Sequence, residues 1–339
     1  MDWVLLVLAL GVILGGAELF TNGVEWIGEG YGLSEGAVGS VLAAIGTALP
    51  ETVLPLIAIV FGAEAGDQIG VGAILGSPFM LSTLALCVLG ASVLAYARSG
   101  RRSRRISVDS RVPILDLTVF LVLYSMAIVA GILHVKAVSV ALAVVLVIAY
   151  GFYVRRHFTR ERGPHGEEQL DLKPLHLGRP RGLRRPEGGA PTWLAIVQAV
   201  LGLAVIVAGA KVFVSSVTNI ADDLHVSHLA FALLVAPVAT ELPEVFNAAV
   251  IWSRTGKDTL AVGNITGALV FQSVFPVAIG LVLTPWHLTT DSLIAAFVAL
   301  AGAAFVLGTL LVRRRLSARL LLLQGVLYVG YVTYVLTRL

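Results

Sequence analysis

Residues 239–244 read "ATELPE", and residues 46–51 read "GTALPE". Each hexapeptide ends a longer segment, and the two segments, 15–51 and 208–244, align without a gap at a shift of 193 residues. A second pair of matching segments follows, with "VGAILGS" at 71–77 and "VGNITGA" at 262–268. Abundant Gly and Leu could align by chance in any apolar chain, but a shared T-x-L-P-E run could not. The chain therefore contains an internal repeat.

The composition is that of a membrane protein. The 339 residues are 57% hydrophobic and 13% charged, against about 25% charged in an average soluble domain. Apolar segments of 18 or more residues recur along the chain, and each could cross a bilayer as a helix. We therefore predict an all-α, polytopic membrane protein. The basic residues have a membrane explanation, so we expect no nucleic-acid partner. The single cysteine, Cys87, supports neither a disulfide framework nor a cysteine metal site.

Hydropathy predicts ten transmembrane helices, the first of which we interpret as a retained helix rather than a signal peptide. Their approximate bounds are 2–27, 34–62, 68–97, 113–132, 136–154, 192–221, 227–253, 259–284, 291–312 and 319–338.

Loop charge predicts the orientation. Segments 98–111, 155–185, 254–257 and 313–319 fall on one side of the ten-helix arrangement and carry 21 of the 24 Lys and Arg residues. Because basic loops stay in the cytoplasm, both termini should face outward. The compact loops favour a prokaryotic cytoplasmic membrane.

The repeat divides the chain into a first five-helix repeat (1–154), a cytoplasmic basic linker (155–191) and a second five-helix repeat (192–339). An odd number of helices per repeat makes the two repeats run in opposite directions, an arrangement typical of secondary transporters with a site near the midplane. We interpret the linker as a solvated connection, because it lacks the apolar content for a core. A regulatory role stays open.

Three glutamates, Glu51, Glu241 and Glu244, lie near the middle of predicted transmembrane helices. An ionisable side chain there costs about 2.5–3.5 kcal/mol on insertion scales. Duplication of the motif favours ion handling over protonated or hydrogen-bonded structural glutamates. Like charges also disfavour one another's ionisation, so the glutamates should take up protons when a bound cation leaves. Proton-coupled exchange therefore rivals sodium-coupled exchange.

The motif prolines, Pro50 and Pro243, lack an N–H and should each free a helical carbonyl. Such carbonyls persist in a membrane only where protein or a lined cavity satisfies them. Together with hydroxyl and carboxylate oxygens they form the ligand set that Ca²⁺ and Na⁺ prefer. The hydroxyls of the motif threonines, Thr47 and Thr240, could instead donate to carbonyls of their own helices. The candidate ligands beside the glutamates are Gly46, Thr47, Ala239 and Thr240.

The second repeated block predicts close packing. Gly72 with Gly76, and Gly263 with Gly267, form faces of small residues that would let the third and eighth helices approach the glutamate helices. Ordinary interhelical hydrogen bonding is as good an explanation as cation binding for the polar residues of this block, which are Ser77, Asn264, Thr266 and Gln272.

Both motif pairs, "GTALPE" with "GAILGS" and "ATELPE" with "GNITGA", resemble the cation/calcium exchanger superfamily, the sodium/calcium exchanger-like membrane proteins with two inverted alpha-repeats. The resemblance implies ten helices and cation antiport by alternating access. It also implies that Glu51 and Glu244 are the central ligands of a shared Ca²⁺ or Na⁺ site.

The sequence departs from that family pattern at several positions. The motif serine is replaced by Ala48 in one repeat and Glu241 in the other, and the motif asparagine by Ala73 in the first repeat. Leu81 and Gln272 stand where the family usually has an acid or amide. The site is therefore lopsided, with fewer polar ligands in the first repeat and an extra carboxylate in the second, so the coupling ion and stoichiometry stay open.

We therefore expect a secondary antiporter that exchanges Ca²⁺ for Na⁺ or H⁺. The alternatives are an exchanger for another cation, or a passive channel or sensor on the same fold. We expect no enzyme, because no catalytic motif such as G-x-S-x-G or H-E-x-x-H is present. The expected partners are inorganic cations and the lipid bilayer, with no obligatory protein partner and no cofactor.

Overall fold

A computed structural model describes residues 1–31, 49–160, 174–177 and 191–337. Within them the chain is almost entirely helical. The helices of the first half are α1 (Asp2–Gly30), α2 (Leu49–Phe61), α3 (Gly66–Met80), α4 (Leu86–Arg98), α5 (Arg111–Leu133) and α6 (Lys136–Arg160). Those of the second half are α7 (Thr192–Asp223), α8 (His228–Thr240), α9 (Leu242–Phe246), α10 (Ser253–Thr255), α11 (Asp258–Gln272), α12 (Phe275–Leu283), α13 (Thr290–Arg313), α14 (Ala318–Leu322) and α15 (Gln324–Leu336).

Short irregular elements join these helices. A 3₁₀ turn spans Ala63–Ala65, and two π-helical segments span Leu81–Ala85 and Asn247–Trp252. Two-residue strands, β1 (Arg105–Ile106) and β2 (Leu316–Ser317), pair antiparallel. Each π segment directly continues a helix that carries a repeated motif, and π segments are frequent at functional sites.

Eight helical stretches in the described part of the chain are long and apolar enough to cross a membrane. The two remaining predicted helices, 34–62 and 227–253, contain the glutamate motifs, and the structure describes shorter apolar helices there, Pro50–Phe61 and His228–Val238. The apolar, almost entirely helical architecture is confirmed, whereas the count of ten stays a prediction.

Large apolar side chains cover the outside of the helices. On α6, Val144, Ile148 and Phe152 are each more than half exposed. Contiguous exposed apolar surface of this kind is unfavourable in water, whereas lipid tails solvate it.

α1 packs along α7 in the antiparallel direction. Asn219 near the end of α7 donates to Asp2 at the start of α1 (3.2 Å), and Gly23 near the end of α1 lies against Ala199 near the start of α7. Glycines permit this approach, because a Cβ on Gly23 would lie only 2.8 Å from the backbone nitrogen of Ala199.

α3 packs equally closely on α8. A Cβ on Gly72 would lie 2.4 Å from the carbonyl oxygen of Leu229, and one on Gly76 would lie 2.2 Å from that of Leu233. The predicted small-residue face is thus confirmed in the first repeat. In the second repeat, a Cβ on Gly263 would have only Val112 nearby, at 4.0 Å, and a Cβ on Gly267 would have no described atom within 4 Å. The segment that the repeat would place against them, 36–44, lies outside the described residues.

Three loops meet at one end of the helices, as the ten-helix arrangement predicts. Strand β1 in loop 98–111 pairs with β2 after α13, and Arg102 forms a buried ion pair with Asp258 at the start of α11 (2.7 Å). At the opposite end, Lys136 donates to the carbonyl oxygens of Leu281 and Thr284 (3.0 and 2.6 Å). Which end faces the cytoplasm stays a prediction.

Part of the linker is packed against the helices rather than solvated. Leu175 is buried with Trp26 of α1 and Ala195 of α7. The His176 and Leu177 amides donate to the side chains of Asn22 (3.2 Å) and Gln198 (2.8 Å). The interpretation of 155–191 as a solvated linker is therefore wrong for Leu175, which is buried between helices of both halves, whereas Pro174, His176 and Leu177 are exposed.

Candidate cation site

Glu51, Glu241 and Glu244 come together inside the protein. One carboxylate oxygen from each lies within 4.8 Å of the other two, and the side chains are 3%, 0% and 8% exposed. Glu51 is on α2, Glu244 is on α9, and Glu241 is the single residue between α8 and α9. The three glutamates therefore converge, although they come from opposite halves of the chain.

Two glutamates three positions apart share one face even of a regular helix, but the helix that carries Glu241 and Glu244 is interrupted at this point. α8 ends at Thr240 and α9 begins at Leu242, so Glu241 lies at an interruption. Pro243 follows, and proline cannot supply the N–H that would continue the helix. A π-helical segment begins shortly afterwards at Asn247. The chain thus leaves regular α-helical geometry on both sides of Glu244.

Four of the six carboxylate oxygens are buried without a hydrogen-bond partner among the described residues. They are both oxygens of Glu51 and one oxygen each of Glu241 and Glu244. The side-chain oxygen of Gln272 is also buried without a hydrogen-bond partner among the described residues. Buried polar atoms are rarely left unpaired in native proteins. Oxygens that converge without donors form a site suited to a hard cation.

Polar side chains from two other helices flank Glu241. Gln272 at the end of α11 donates through Nε2 to one Glu241 oxygen (3.0 Å). The buried hydroxyl of Ser77 on α3 lies beside the same carboxylate. The structure therefore places these two predicted residues next to the glutamates.

Other predicted ligands lie elsewhere or are engaged differently. The Thr240 hydroxyl donates to the Ala236 carbonyl oxygen within its own helix (3.4 Å), the alternative left open by the sequence. Asn264 donates to the backbone carbonyl of Glu244 (3.1 Å) rather than to a carboxylate. Gly46 and Thr47, like Ala48, lie outside the described residues, and the role of the Ala239 carbonyl stays a prediction.

Comparison with known proteins identifies the family of the chain. The family model described as "Sodium/calcium exchanger protein" matches residues 1–158 and 194–339. The chain belongs to this family. A curated relative named "Putative antiporter CaxA", from Alkalimonas amylolytica, is 26% identical over 97% of this chain and 96% of its own length.

Two solved exchangers share the fold. The H⁺/Ca²⁺ exchanger CAX superposes with a TM-score of 0.70 at 14% identity, covering 98% of this chain and 82% of its own. The sodium–calcium exchanger NCX_Mj superposes with a TM-score of 0.55 at 20% identity, covering 98% and 97%. The exchanger is therefore an integral membrane transporter of the calcium/cation antiporter class, which agrees with the expectation that it is not an enzyme.

Sequence reasoning missed a further buried carboxylate of the exchanger, which lies within an apolar helix. Asp116 on α5 is 1% exposed and accepts hydrogen bonds from Thr266 on α11 (2.6 Å) and Tyr153 on α6 (3.0 Å). Thr266, a candidate ligand from the sequence, therefore faces Asp116. The available signal was that Asp116 is the one charged residue in the predicted helix 113–132.

A cavity of about 410 Å³ lies beside the motifs. It is lined by Pro50 and Leu242, which neighbour the site glutamates in sequence, and by Glu18, Thr21 and Phe246 together with apolar residues of α1. Glu18 is about half exposed. The carboxylate of Glu18 on α1 therefore faces the same cavity as residues of the two motif helices, α2 and α9.

Proposed function

We propose that the exchanger is a secondary active antiporter that moves Ca²⁺ through the site formed by Glu51, Glu241 and Glu244. The observation that carries this proposal is the convergence of three buried carboxylates, four of whose oxygens have no donor among the described residues. Ca²⁺ takes 6–8 oxygen ligands, and Gln272 offers one further oxygen at the cluster. The cations are cargo, so the proposal requires no resident cofactor.

We also propose ten transmembrane helices arranged as two inverted repeats. Reciprocal contacts support the inversion. A Cβ on Gly16 would touch Ile206, and a Cβ on Gly209 would touch Ile13. At the shift of 193 residues, Gly16 matches Gly209 and Ile13 matches Ile206, so the same contact occurs twice between antiparallel helices. Equivalent helices that run antiparallel are the geometry of an inverted repeat.

The favoured counter-ion is H⁺, with Na⁺ as the second candidate. Three like charges this close repel one another strongly in a buried site, and the described residues place no Lys or Arg side chain in an ion pair with any of them. Ca²⁺ offsets two charges, and protons can replace it when it leaves. The site can thus hold either a cation or protons. Alternating access would expose the site to each side of the membrane in turn.

The test is uptake of radioactive Ca²⁺ into proteoliposomes that carry an outward H⁺ gradient in one set and an outward Na⁺ gradient in another. Glu244→Gln removes a site carboxylate, and Glu64→Gln changes an exposed glutamate as the matched control. We expect gradient-driven uptake by the wild type and the control and none by Glu244→Gln. Uptake that needs no gradient would instead support a channel. Absence of driven uptake by folded wild-type protein would refute Ca²⁺ antiport.

A further inference from the structure

The β1–β2 pair joins two basic loops that are distant in sequence. Arg105 lies opposite Ser317 and Ile106 opposite Leu316 in an antiparallel register. The first loop follows α4, and the second follows α13. The positive-inside rule requires basic loops on one side of the membrane, but it does not require them to be held against each other. The strand pairing therefore creates a local concentration of positive charge.

A cavity of about 560 Å³ lies at this junction. None of the described residues that line it is acidic, and its apolar lining includes Ile106 and Leu316, which are buried, and Leu320. Its charged lining consists of five exposed arginines, Arg104, Arg105, Arg313, Arg314 and Arg315.

None of these five guanidinium groups has an ion-pair or hydrogen-bond partner within the described part of the chain. Arg102 in the same loop shows the contrast, since its guanidinium contacts Asp258 (2.7 Å) and donates to the Ser253 carbonyl oxygen (2.6 Å). Arginines that serve only to hold loops together would be paired in this way. Five unpaired guanidinium groups around one cavity repel one another unless an anion joins them.

We propose that this arginine cavity binds the phosphate group of an anionic phospholipid. The guanidinium fork matches phosphate geometry and donates two parallel hydrogen bonds. The position fits a lipid rather than a solute, because Leu311 and Val312, immediately before Arg313, are 58% and 83% exposed apolar residues at the end of a transmembrane helix. Loop charge predicts that this end of the helices faces the cytoplasm, and basic cavities at the cytoplasmic ends of helices suit lipid headgroups.

The test compares two variants that lose the same charge from the same two loops. Arg105→Gln/Arg314→Gln removes two guanidinium groups from the cavity. Arg101→Gln/Arg319→Gln removes two that do not line it. Purified proteins would be titrated with phosphatidylglycerol in detergent micelles, with phosphatidylcholine and inorganic phosphate as parallel arms, and bound lipid counted by native mass spectrometry.

We expect the wild type and the Arg101/Arg319 variant to retain phosphatidylglycerol over phosphatidylcholine. The cavity variant should bind it about thirtyfold more weakly, because the two lost basic residues each contribute about 1 kcal/mol near an anionic headgroup. Equal retention by both variants would overturn the proposal. Displacement of bound phosphatidylglycerol by inorganic phosphate at matched concentration would overturn the assignment to a lipid.

A second pair of substitutions covers the case in which the double glutamine variant does not fold. Arg105→Lys/Arg314→Lys keeps the charge of both loops but removes the fork geometry. This variant should fold and should still lose affinity for phosphatidylglycerol. Unchanged affinity in it would show that only net charge matters, which would also overturn a built phosphate site.

Discussion

Replacing Glu241 with glutamine should reduce by about one the number of protons that the site exchanges for each Ca²⁺. Carboxylate oxygens of the three site glutamates lie within 4.8 Å of one another. At an effective dielectric constant of about 20, two unit charges at that separation repel by about 3.5 kcal/mol. With all three glutamates ionised, each carboxylate is opposed by two neighbours, or about 7 kcal/mol.

That repulsion exceeds the about 4 kcal/mol needed to protonate an ordinary glutamate at pH 7. The cation-free wild-type site should therefore hold at least one proton and release it when Ca²⁺ binds. In Glu241→Gln a neutral amide takes the place of the first bound proton, and a single repelling pair of about 3.5 kcal/mol remains, so the variant should bind about one proton fewer than the wild type. Because binding releases protons, the apparent Ca²⁺ affinity of the wild type should rise with pH, and that of the variant should rise less.

The assay is isothermal titration of Ca²⁺ into purified protein in two buffers of different ionisation enthalpy, which yields protons released per Ca²⁺ bound. Glu64→Gln, at an exposed position, should release as many protons as the wild type. An equal proton count in Glu241→Gln and wild type, with Ca²⁺ still bound, would refute the electrostatic reasoning.

Three further substitutions test one close helix contact and two buried polar contacts. Gly76→Ala should lower the thermal unfolding midpoint, because the new Cβ overpacks α3 against α8 at a cost of about 1–3 kcal/mol. The control is Gly308→Ala, whose new Cβ has no described atom within 4 Å and should leave the midpoint unchanged. Equal midpoints in the two variants would contradict the close approach of α3 and α8. Arg102→Ala should cost about 3–5 kcal/mol because it leaves Asp258 buried without its charge partner, and the Arg102→Ala/Asp258→Ala protein should recover part of that loss in denaturant titrations. Thr266→Val should cost about 1–3 kcal/mol by removing a donor from a buried carboxylate, and Thr266→Ser should restore stability if the hydroxyl is what matters.

The glutamate cluster was predictable because the repeat placed the same motif in both halves. Glu51 and Glu244 could be assigned to one site only through that duplication, and Glu241 followed as a neighbour in sequence. The packing of Gly72 and Gly76 on α8 followed from the same repeated block. These features depend on local motifs and on symmetry, both of which are visible in a single sequence.

The remaining features depend on contacts between distant residues. Asp116 is recognisable as a costly charge in an apolar helix, but its partners Tyr153 and Thr266 are 37 and 150 positions away. Likewise, Leu175 lies in a polar linker, and its burial requires Trp26 and Ala195 from two different helices. Composition describes a segment by its own residues, so it missed a leucine of this segment that other helices cover.

The reciprocal contact between α1 and α7 has an evolutionary consequence. In a symmetric homodimer, residue i of one subunit touches residue j of the other, and j touches i. Gly16 with Ile206 and Gly209 with Ile13 satisfy that relation within one chain. A five-helix ancestor inserted in both orientations could therefore have formed this interface as a dimer before gene fusion. After such a fusion the two halves would no longer have to be identical. The difference between Ala48 and Glu241, which occupy equivalent positions of the two repeats, is one that the two subunits of a homodimer could not show.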